Sequence, residues 1–360
     1  MEEPLIDRAH KVRTGEEIDL TRLSAYLRST SKEFSDEFRI EQFPSGFSNL
    51  TYLLRNGDKE FVLRRPPIGS TVKTAHDMRR EFQILTHLHP FYSKVPKPIL
   101  LCEDESVLGT PFYLMERVKG VILRATPPRG ADLTSEVMHS VSTEFIENLV
   151  EIHAVDYTKA GLADIGKPAG YVSRQVDGWT KRYYGAQTDD VPVIENVASW
   201  LIDNMPAESN TSLIHNDYKY DNVVFKTLDA PAVAAVLDWE MATIGDPLMD
   251  LGTTLAYWID MDDPEDWRRL GFGLTALPGN LRRQDILDLY TLRSRRPVSD
   301  IVFYYAFGLL KIAVIVQQIF YRFRTGKTSD PRFSNLGILV EAAGNMARRA
   351  IEKNRIVGLG

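Results

Sequence analysis

Residues 213–225 read LIHNDYKYDNVVF. An apolar, strand-like run breaks at His215 into a polar cluster of Asn216, Asp217, Lys219, Asp221 and Asn222, then resumes as Val223, Val224 and Phe225. Spaced out, the stretch is H-N-D-x-K-x-x-N, with Asp217 and Asn222 five residues apart. A second apolar run, AVAAVLDWE, brings Asp238 to the end of another strand, 16 residues beyond Asn222. A lone D-x-x-x-x-N suits any surface loop. With His215, Lys219 and a following Asp238, the order becomes the one that phosphoryl transfer from a nucleotide requires. Asp217 would accept the proton of an attacking hydroxyl, and Asn222 and Asp238 would offer hard oxygen ligands to Mg²⁺ bridging the phosphates. Lys219, two residues past the base, would offset charge developing on the transferred group. A strand hairpin is expected to hold these groups at one end, as position-dominated catalysis needs.

The bulk properties frame that reading. A chain of 360 residues exceeds one small core, so two lobes are expected. The formal charge of −6 offers no general attraction to nucleic acid or to an anionic membrane. Cys102 is the sole cysteine, which excludes an intramolecular disulfide and a cysteine-based metal site. The start, MEEPLIDRAH, lacks the apolar core of a secretory signal. The most apolar late segment, FYYAFGLLKIAVIVQQIF (303–320), carries Lys311 and two glutamines and reads as a buried helix, not a membrane span. A cytoplasmic protein is expected.

Along the chain, DLTRLSAYLRS (19–29) has leucines at helical spacing behind Asp19, a plausible N-cap. Strand character from Phe38 to Arg65 is broken by PSGFSN (44–49) and by the turn NGDK (56–59), which suits a hairpin. A helix over roughly 71–88 ends at His89–Pro90, and strand-like runs follow near 98–103 and 112–118. Beyond KGVILRATPPRG (119–130) most of the chain reads helical, interrupted by a strand pair within 211–238. The expected fold is α+β: a small sheet-bearing lobe, 1–118, joined to a larger helical lobe, 119–360.

The cluster at 215–222 resembles the catalytic loop of the protein-kinase-like superfamily, in the branch of the aminoglycoside phosphotransferases and choline kinases. There the kinase H-R-D becomes H-G-D or H-N-D, and D-F-G becomes D-W-E or D-F-D. The continuation DWEMATIGDPLMDLG (238–252) matches that branch. Asp246–Pro247 also reads as an N-cap followed by proline at the first helical position. Asp250, one turn inside, is implied by the resemblance to brace the catalytic loop. The resemblance implies a bilobal kinase-like fold, antiparallel sheet in the first lobe and helices in the second, that uses ATP and Mg²⁺.

Within that resemblance the first lobe should supply a phosphate loop, a cation on a strand and a helix carboxylate. PSGFSNLTYLL (44–54) places Ser45, Gly46, Ser48 and Asn49 where backbone N–H groups could meet phosphate, although an ordinary hairpin turn reads the same way. In FVLRRPP (61–67), alternation puts Val62 and Arg64 on one face: Val62 for an adenine pocket, Arg64 for phosphate in place of the usual lysine. Glu81 lies on the apolar stripe of Met78, Leu85 and Leu88 and asks for a cation, either Arg64 or a neighbouring helical arginine. FYLMERVKG (112–120) resembles the hinge segment, with the Glu116 carbonyl and Val118 N–H facing the base and Met115 beside it. Backbone recognition of this kind does not separate ATP from GTP.

The acceptor is less legible. YWIDMDDPEDW (257–267) could form an acidic lip for a polycationic aminoglycoside or a choline-like ammonium, with Tyr257 or Trp258 as aromatic face, or it could be a solvated loop. Arg293, Arg295 and Arg296 would instead suit an anionic substrate, so charge does not choose. The segments at 155–183 and 301–326 are similar to phosphotransferase domains found beside or fused to acyl-CoA dehydrogenases, a likeness running from 15 to 350. That implies a small-molecule hydroxyl acceptor of hydroxyacyl type and a functional link to such a dehydrogenase. No flavin-binding pattern or dehydrogenase domain is read in the chain itself. A nucleotide-binding module with little transferase activity is the alternative of a different class.

Overall fold

The computed structural model describes residues 6–34, 37–44, 49–67, 77–207, 211–269 and 273–360. Helix α1 (Leu20–Thr30) begins at Asp19, whose side chain accepts the Arg22 N–H, and buries Leu23 and Leu27. Five strands follow: β1 (Phe38–Gln42), β2 (Leu50–Asn56), β3 (Lys59–Arg65), β4 (Pro98–Cys102) and β5 (Phe112–Glu116). They form one antiparallel sheet in the order β1-β2-β3-β5-β4. Helix α2 (Met78–Leu88) lies between β3 and β4, capped by Asp77; residues 71–76 of the expected helix lie outside the described residues. A short helix, α3 (Glu105–Leu108), sits within EDESVLGTP and stops at Gly109, whose φ of +78° suits glycine.

The central strands are buried on both sides, and period-two alternation sorts their side chains. Tyr52, Leu54, Phe61, Leu63, Phe112 and Leu114 share a core with Leu23 and Leu27 of α1. Leu53, Val62, Tyr113 and Met115 face the other way, toward Ile84 and Leu85 of α2. Each such buried side chain contributes about 1.5–3 kcal/mol. Val62 and Met115 are direct cross-strand partners, so the sheet presents them together.

The second lobe contains α4 (Ser135–Ala154), α5 (Tyr171–Ala186), α6 (Pro192–Asp203), two short ribbons, and then five more helices. The ribbons pair β6 (Ser212–Ile214) with β9 (Thr243–Gly245), and β7 (Val223–Phe225) with β8 (Val233–Val236). Thus the run before His215 does not pair with the strand leading to Asp238, as a simple strand pair over 211–238 would have it. β6 needs a partner on its own side of the loop, and TIG at 243–245 provides one. The helices are α7 (Pro247–Tyr257), α8 (Glu265–Arg268), α9 (Arg283–Ser294), α10 (Ile301–Arg324) and α11 (Leu336–Lys353).

Helix α10 is the axle of this lobe. It is long and apolar enough to cross a membrane, yet 83% of its most apolar window is buried against other elements. That agrees with a core helix, as 303–320 reads. Its approach to α7 depends on two glycines: a Cβ on Gly308 would sit 2.5 Å from the Gly252 carbonyl oxygen and 2.8 Å from the Ala256 Cβ. Gly308→Val should therefore force the helices apart and cost about 3 kcal/mol or more. The denaturant midpoint is the measurement, and an unchanged midpoint would refute the close approach.

Candidate active site

The loop between β6 and β7 is held from three sides. Asp250, in the first turn of α7, is fully buried; its two carboxylate oxygens accept the backbone N–H of His215 (2.7 Å) and of Asn216 (2.8 Å). Burial works against that charge, but the hydrogen bonds from the His153 side chain and the His215 backbone N–H help to outweigh it and hold the carboxyl below its ordinary range. Asp250 sits there because Asp246 caps α7, accepting the Leu248 N–H with Pro247 at the first position.

His215 is buried and kept neutral, since desolvation outweighs the nearby carboxylates. Its Nδ1 accepts the Asp217 N–H (3.3 Å), which leaves Nε2–H to donate to the Leu237 carbonyl (2.9 Å). One imidazole thus ties the backbone of Asp217 to the residue before Asp238. Between them, Asn216 adopts φ +67°, the left-handed region that asparagine tolerates better than most residues.

The side chains gather as follows. Lys219 Nζ donates to both Asp217 oxygens at 2.9 Å and lies 4.9 Å from the centre of the Tyr257 ring. Burial opposes the lysine charge, but Asp217, Tyr257 and Asp221 hold the ammonium above its ordinary range. Asn222 Nδ2 donates to the Asp217 carbonyl (2.8 Å) and to Asp217 Oδ2 (3.0 Å). That fixes the amide with its oxygen turned away from Asp217. Asp238, at φ +68°, receives Arg64 Nη2 on Oδ1 (2.8 Å). Burial would raise its carboxyl; Arg64 reverses this and holds it low, so Asp238 is ionised.

Arg64 spans the lobes. Its Nη1 donates to Glu81 Oε1 (2.7 Å), and the same oxygen accepts the Trp239 N–H (3.1 Å). Of the arginines open to Glu81, the one on the strand takes it; Arg79 instead pairs with Glu103, and Arg80 donates to the carbonyls of Ile165 and Ala242. The fork geometry of arginine serves both carboxylates at once, which a lysine would not do.

Val62 and Met115 lie on the sheet face that carries Arg64, and Glu116 ends β5. The Val118 N–H donates to no described group. Ser45, Gly46 and Ser48 fall outside the described residues. Asn49 is described, and its side chain, not only its backbone, engages the site: Nδ2 donates to Glu240 Oε2 at 2.7 Å. Burial, then Asp238 and Glu81, push the Glu240 carboxyl up to about 8. Asn49 and Glu240 thus join the lobes, a link that sequence spacing does not show, because the partners are 191 residues apart.

Both readings of the acids in 257–267 need correction. Asp260 and Asp263 are buried and pair with the fully buried Arg283, whose guanidinium also donates to the Tyr305 hydroxyl. Asp262 pairs with Arg282. Trp258 is buried too, its indole donating to the Leu281 carbonyl. A buried guanidinium demands carboxylates, so Asp260 and Asp263 belong to neither a lip nor a solvated loop, while Asp262, Glu265 and Asp266 are exposed. Of the arginine cluster, Arg293 pairs with Glu147 and Arg296 donates to Ser212 Oγ and the His153 carbonyl.

Chemically, the site offers a carboxylate held by a lysine, an amide and a second carboxylate beside it, and a fixed arginine. Asn222 Oδ1 and Asp238 Oδ2 accept from no described group, so two hard oxygens are left for a cation.

Comparison with known proteins points the same way. The sequence pattern of the phosphotransferase enzyme family matches residues 39–282. Acyl-CoA dehydrogenase family member 10 of Mus musculus is 35% identical over 315 residues, 85% of this chain and 28% of that protein. Acyl-CoA dehydrogenase family member 11 of Homo sapiens is 34% identical over 324 residues, 87% of this chain and 40% of that protein. The chain thus spans well under half the length of these relatives. Among solved structures, a Ralstonia eutropha protein assigned to the aminoglycoside phosphotransferases superposes with a TM-score of 0.78 at 32% identity, covering 94% of this chain and 99% of that one. A thermostable mutant of aminoglycoside phosphotransferase APH(4)-Ia, in ternary complex with AMP-PNP and hygromycin B, gives 0.58 at 15% identity over 92% of this chain and 98% of its own, a likeness of fold.

Proposed function

This chain belongs to the phosphotransferase enzyme family, and from that premise we propose that it transfers the γ-phosphoryl group of ATP to the hydroxyl of a small molecule. The observation that carries the reading is the convergence of Asp217, Lys219 and Asn222 on one side with Arg64, Glu81 and Asp238 on the other. Asp217 accepts the acceptor's proton; its lysine partner, bonded to both carboxylate oxygens, holds its orientation. Arg64 binds phosphate, positioned by Glu81, and Lys219 stands where charge accumulates on the group in transfer. Val62 and Met115 flank the base, with the Glu116 carbonyl and Val118 N–H on its edge and Ser45, Gly46, Ser48 and Asn49 toward the phosphates.

Asn222 and Asp238 would hold Mg²⁺, which supplies charge neutralisation on the phosphates when bound. Among the described residues no three histidine, cysteine, aspartate or glutamate side chains cluster as a metal site. An ion completed by phosphate oxygens and water needs no such cage.

For the acceptor we favour a hydroxyacyl-type compound, and a functional link to an acyl-CoA dehydrogenase, on the strength of the relatives' names. A polycationic acceptor loses its support once Asp260 and Asp263 are spent on Arg283. Calorimetric titration with a non-hydrolysable ATP analogue should show Mg²⁺-dependent binding. Asp238→Ala should weaken that binding by at least about 100-fold, since a metal ligand and a charge are both lost. Equal affinity with and without Mg²⁺ would contradict the metal assignment. Turnover screened against hydroxyacyl thioesters, aminoglycosides and choline then separates the acceptors; stimulation by aminoglycosides alone would overturn the acyl reading.

A further inference from the structure

Helix α10 carries one charged residue through its buried centre, Lys311, which is 3% exposed. Among the described residues no carboxylate lies within ion-pairing distance of it; its contacts there are the Asn216 carbonyl, at 2.5 Å, and the Trp179 ring, 5.6 Å from Nζ to centroid. An ammonium buried with a single oxygen partner is costly, and a methionine of similar volume would stabilise the helix packing better. A residue kept there against that cost has a task that packing does not explain.

The task is legible in what it grips. The Asn216 carbonyl belongs to the peptide plane that leads into Asp217. The other side of that plane, the Asp217 N–H, donates to His215 Nδ1. Lys311 and His215 therefore clamp the two polar groups of one rigid plane, and a fixed plane sets the direction in which the Asp217 side chain leaves the backbone. The clamp is needed because Asn216 stands at φ +67°, where a flip of the following peptide offers competing turn conformations. The rest of Asn216 is held as well: its N–H by Asp250, its Oδ1 by the Tyr171 hydroxyl (3.2 Å), its Nδ2 on the Met241 carbonyl (3.1 Å). Only the carbonyl depends on a cation from α10.

We propose that Lys311 is a positioning residue of the transfer reaction: from the core helix of the second lobe it holds the left-handed Asn216 step that aims Asp217 at the acceptor hydroxyl. This rests on the transferase reading of the same site. The charged groups facing Lys311 are Asp217 and Lys219 on the catalytic loop, Asp250 on α7 and Arg182 on α5. Burial outweighs the two carboxylates, with Lys219 and Arg182 adding to it, and brings the ammonium down to about 8. The charge that strengthens the grip is present at neutral pH and is lost as pH rises through that value.

The test uses purified full-length protein and Mg-ATP turnover with water as acceptor, followed across neutral and alkaline pH, beside nucleotide affinity. Lys311→Met should lower kcat about 100-fold, the scale of a misaimed catalytic group, and leave KM for ATP in place. Lys311→Arg, which keeps the charge and does not titrate in this range, should restore most of the rate. It should also remove the fall in kcat above about pH 8 that is expected of wild type. A Lys311→Met protein with wild-type kcat overturns the inference, as does one that loses kcat and nucleotide affinity together. If the methionine variant does not fold, a Lys311→Arg protein whose alkaline limb is unchanged overturns it equally. A wild type that turns over no Mg-ATP with water or with any of the screened hydroxyl compounds sinks the transferase reading and this inference with it. A competent wild type with an indifferent Lys311 sinks this inference alone.

Discussion

Asp217→Ala should lower phosphoryl transfer about a thousandfold, the usual scale for removing a positioned general base, and leave Mg-nucleotide binding intact. The separation follows from the geometry. Arg64, Glu81 and Asp238 form their own network and touch Asp217 nowhere in it. Asn222 keeps its bond to the backbone carbonyl of residue 217 when the carboxylate is gone. Lys219 loses both of its 2.9 Å contacts, and its freed ammonium is then available to phosphate, so nucleotide affinity should hold or rise. Asp217→Asn preserves the shape without the basicity and should be as slow. Single-turnover kinetics and calorimetry on the same preparations decide it. Loss of nucleotide binding in parallel with turnover would mean that Asp217 holds the metal and is not the base.

The second large effect is on stability. Arg64→Leu strands Glu81, which is 1% exposed, without its cation, and breaking a buried pair from one side costs about 3–5 kcal/mol. The loss should depend on pH. With Arg64 present, burial already raises the Glu81 carboxyl, the arginine opposing it. Without Arg64 the carboxyl rises further and takes up a proton on folding. A group whose folded pKa lies above its unfolded one stabilises most at low pH, so the variant should weaken as pH climbs from the carboxylate range toward neutrality. Arg64→Leu with Glu81→Leu removes both charges and should recover most of the stability while remaining inactive. Urea midpoints of the two single variants and the double variant close the cycle. Additive losses would show that the pair is not coupled.

Much of this site is legible in the linear chain because its parts are local. Asp217, Lys219 and Asn222 fall within six residues, and β7–β8 is a hairpin whose ends carry Asn222 and Asp238. The capping signal Asp246–Pro247 is local too, and it delivers Asp250 to the loop it braces. Alternation along FVLRRPP puts Val62 and Arg64 on one face, and the apolar stripe of α2 marks Glu81 as buried. A buried acid and an inward arginine leave few partners to choose from.

What was illegible involves choices among distant partners of equal chemical merit. Asp260 and Asp263 are as fit for a cationic substrate as for Arg283, and only packing brings that guanidinium beneath them. Lys311 reads as a flaw in an apolar helix until the fold sets it against a carbonyl 95 residues earlier in the chain.

The residue order alone marked which groups could act as base, ligands and phosphate cation and the α+β division of the chain, while the kinase-like architecture followed from the resemblance of its motifs to a known family. Short-range spacing, strand period and helix caps carry that information, since they depend on neighbours within a turn or two. Tertiary structure alone decided the hand of the backbone at Asn216, the partner of Glu240 and the fate of the acids near 260. Closing a long loop costs almost the same whichever of several like partners it meets, so the winner emerges only when the two lobes and their core pack together.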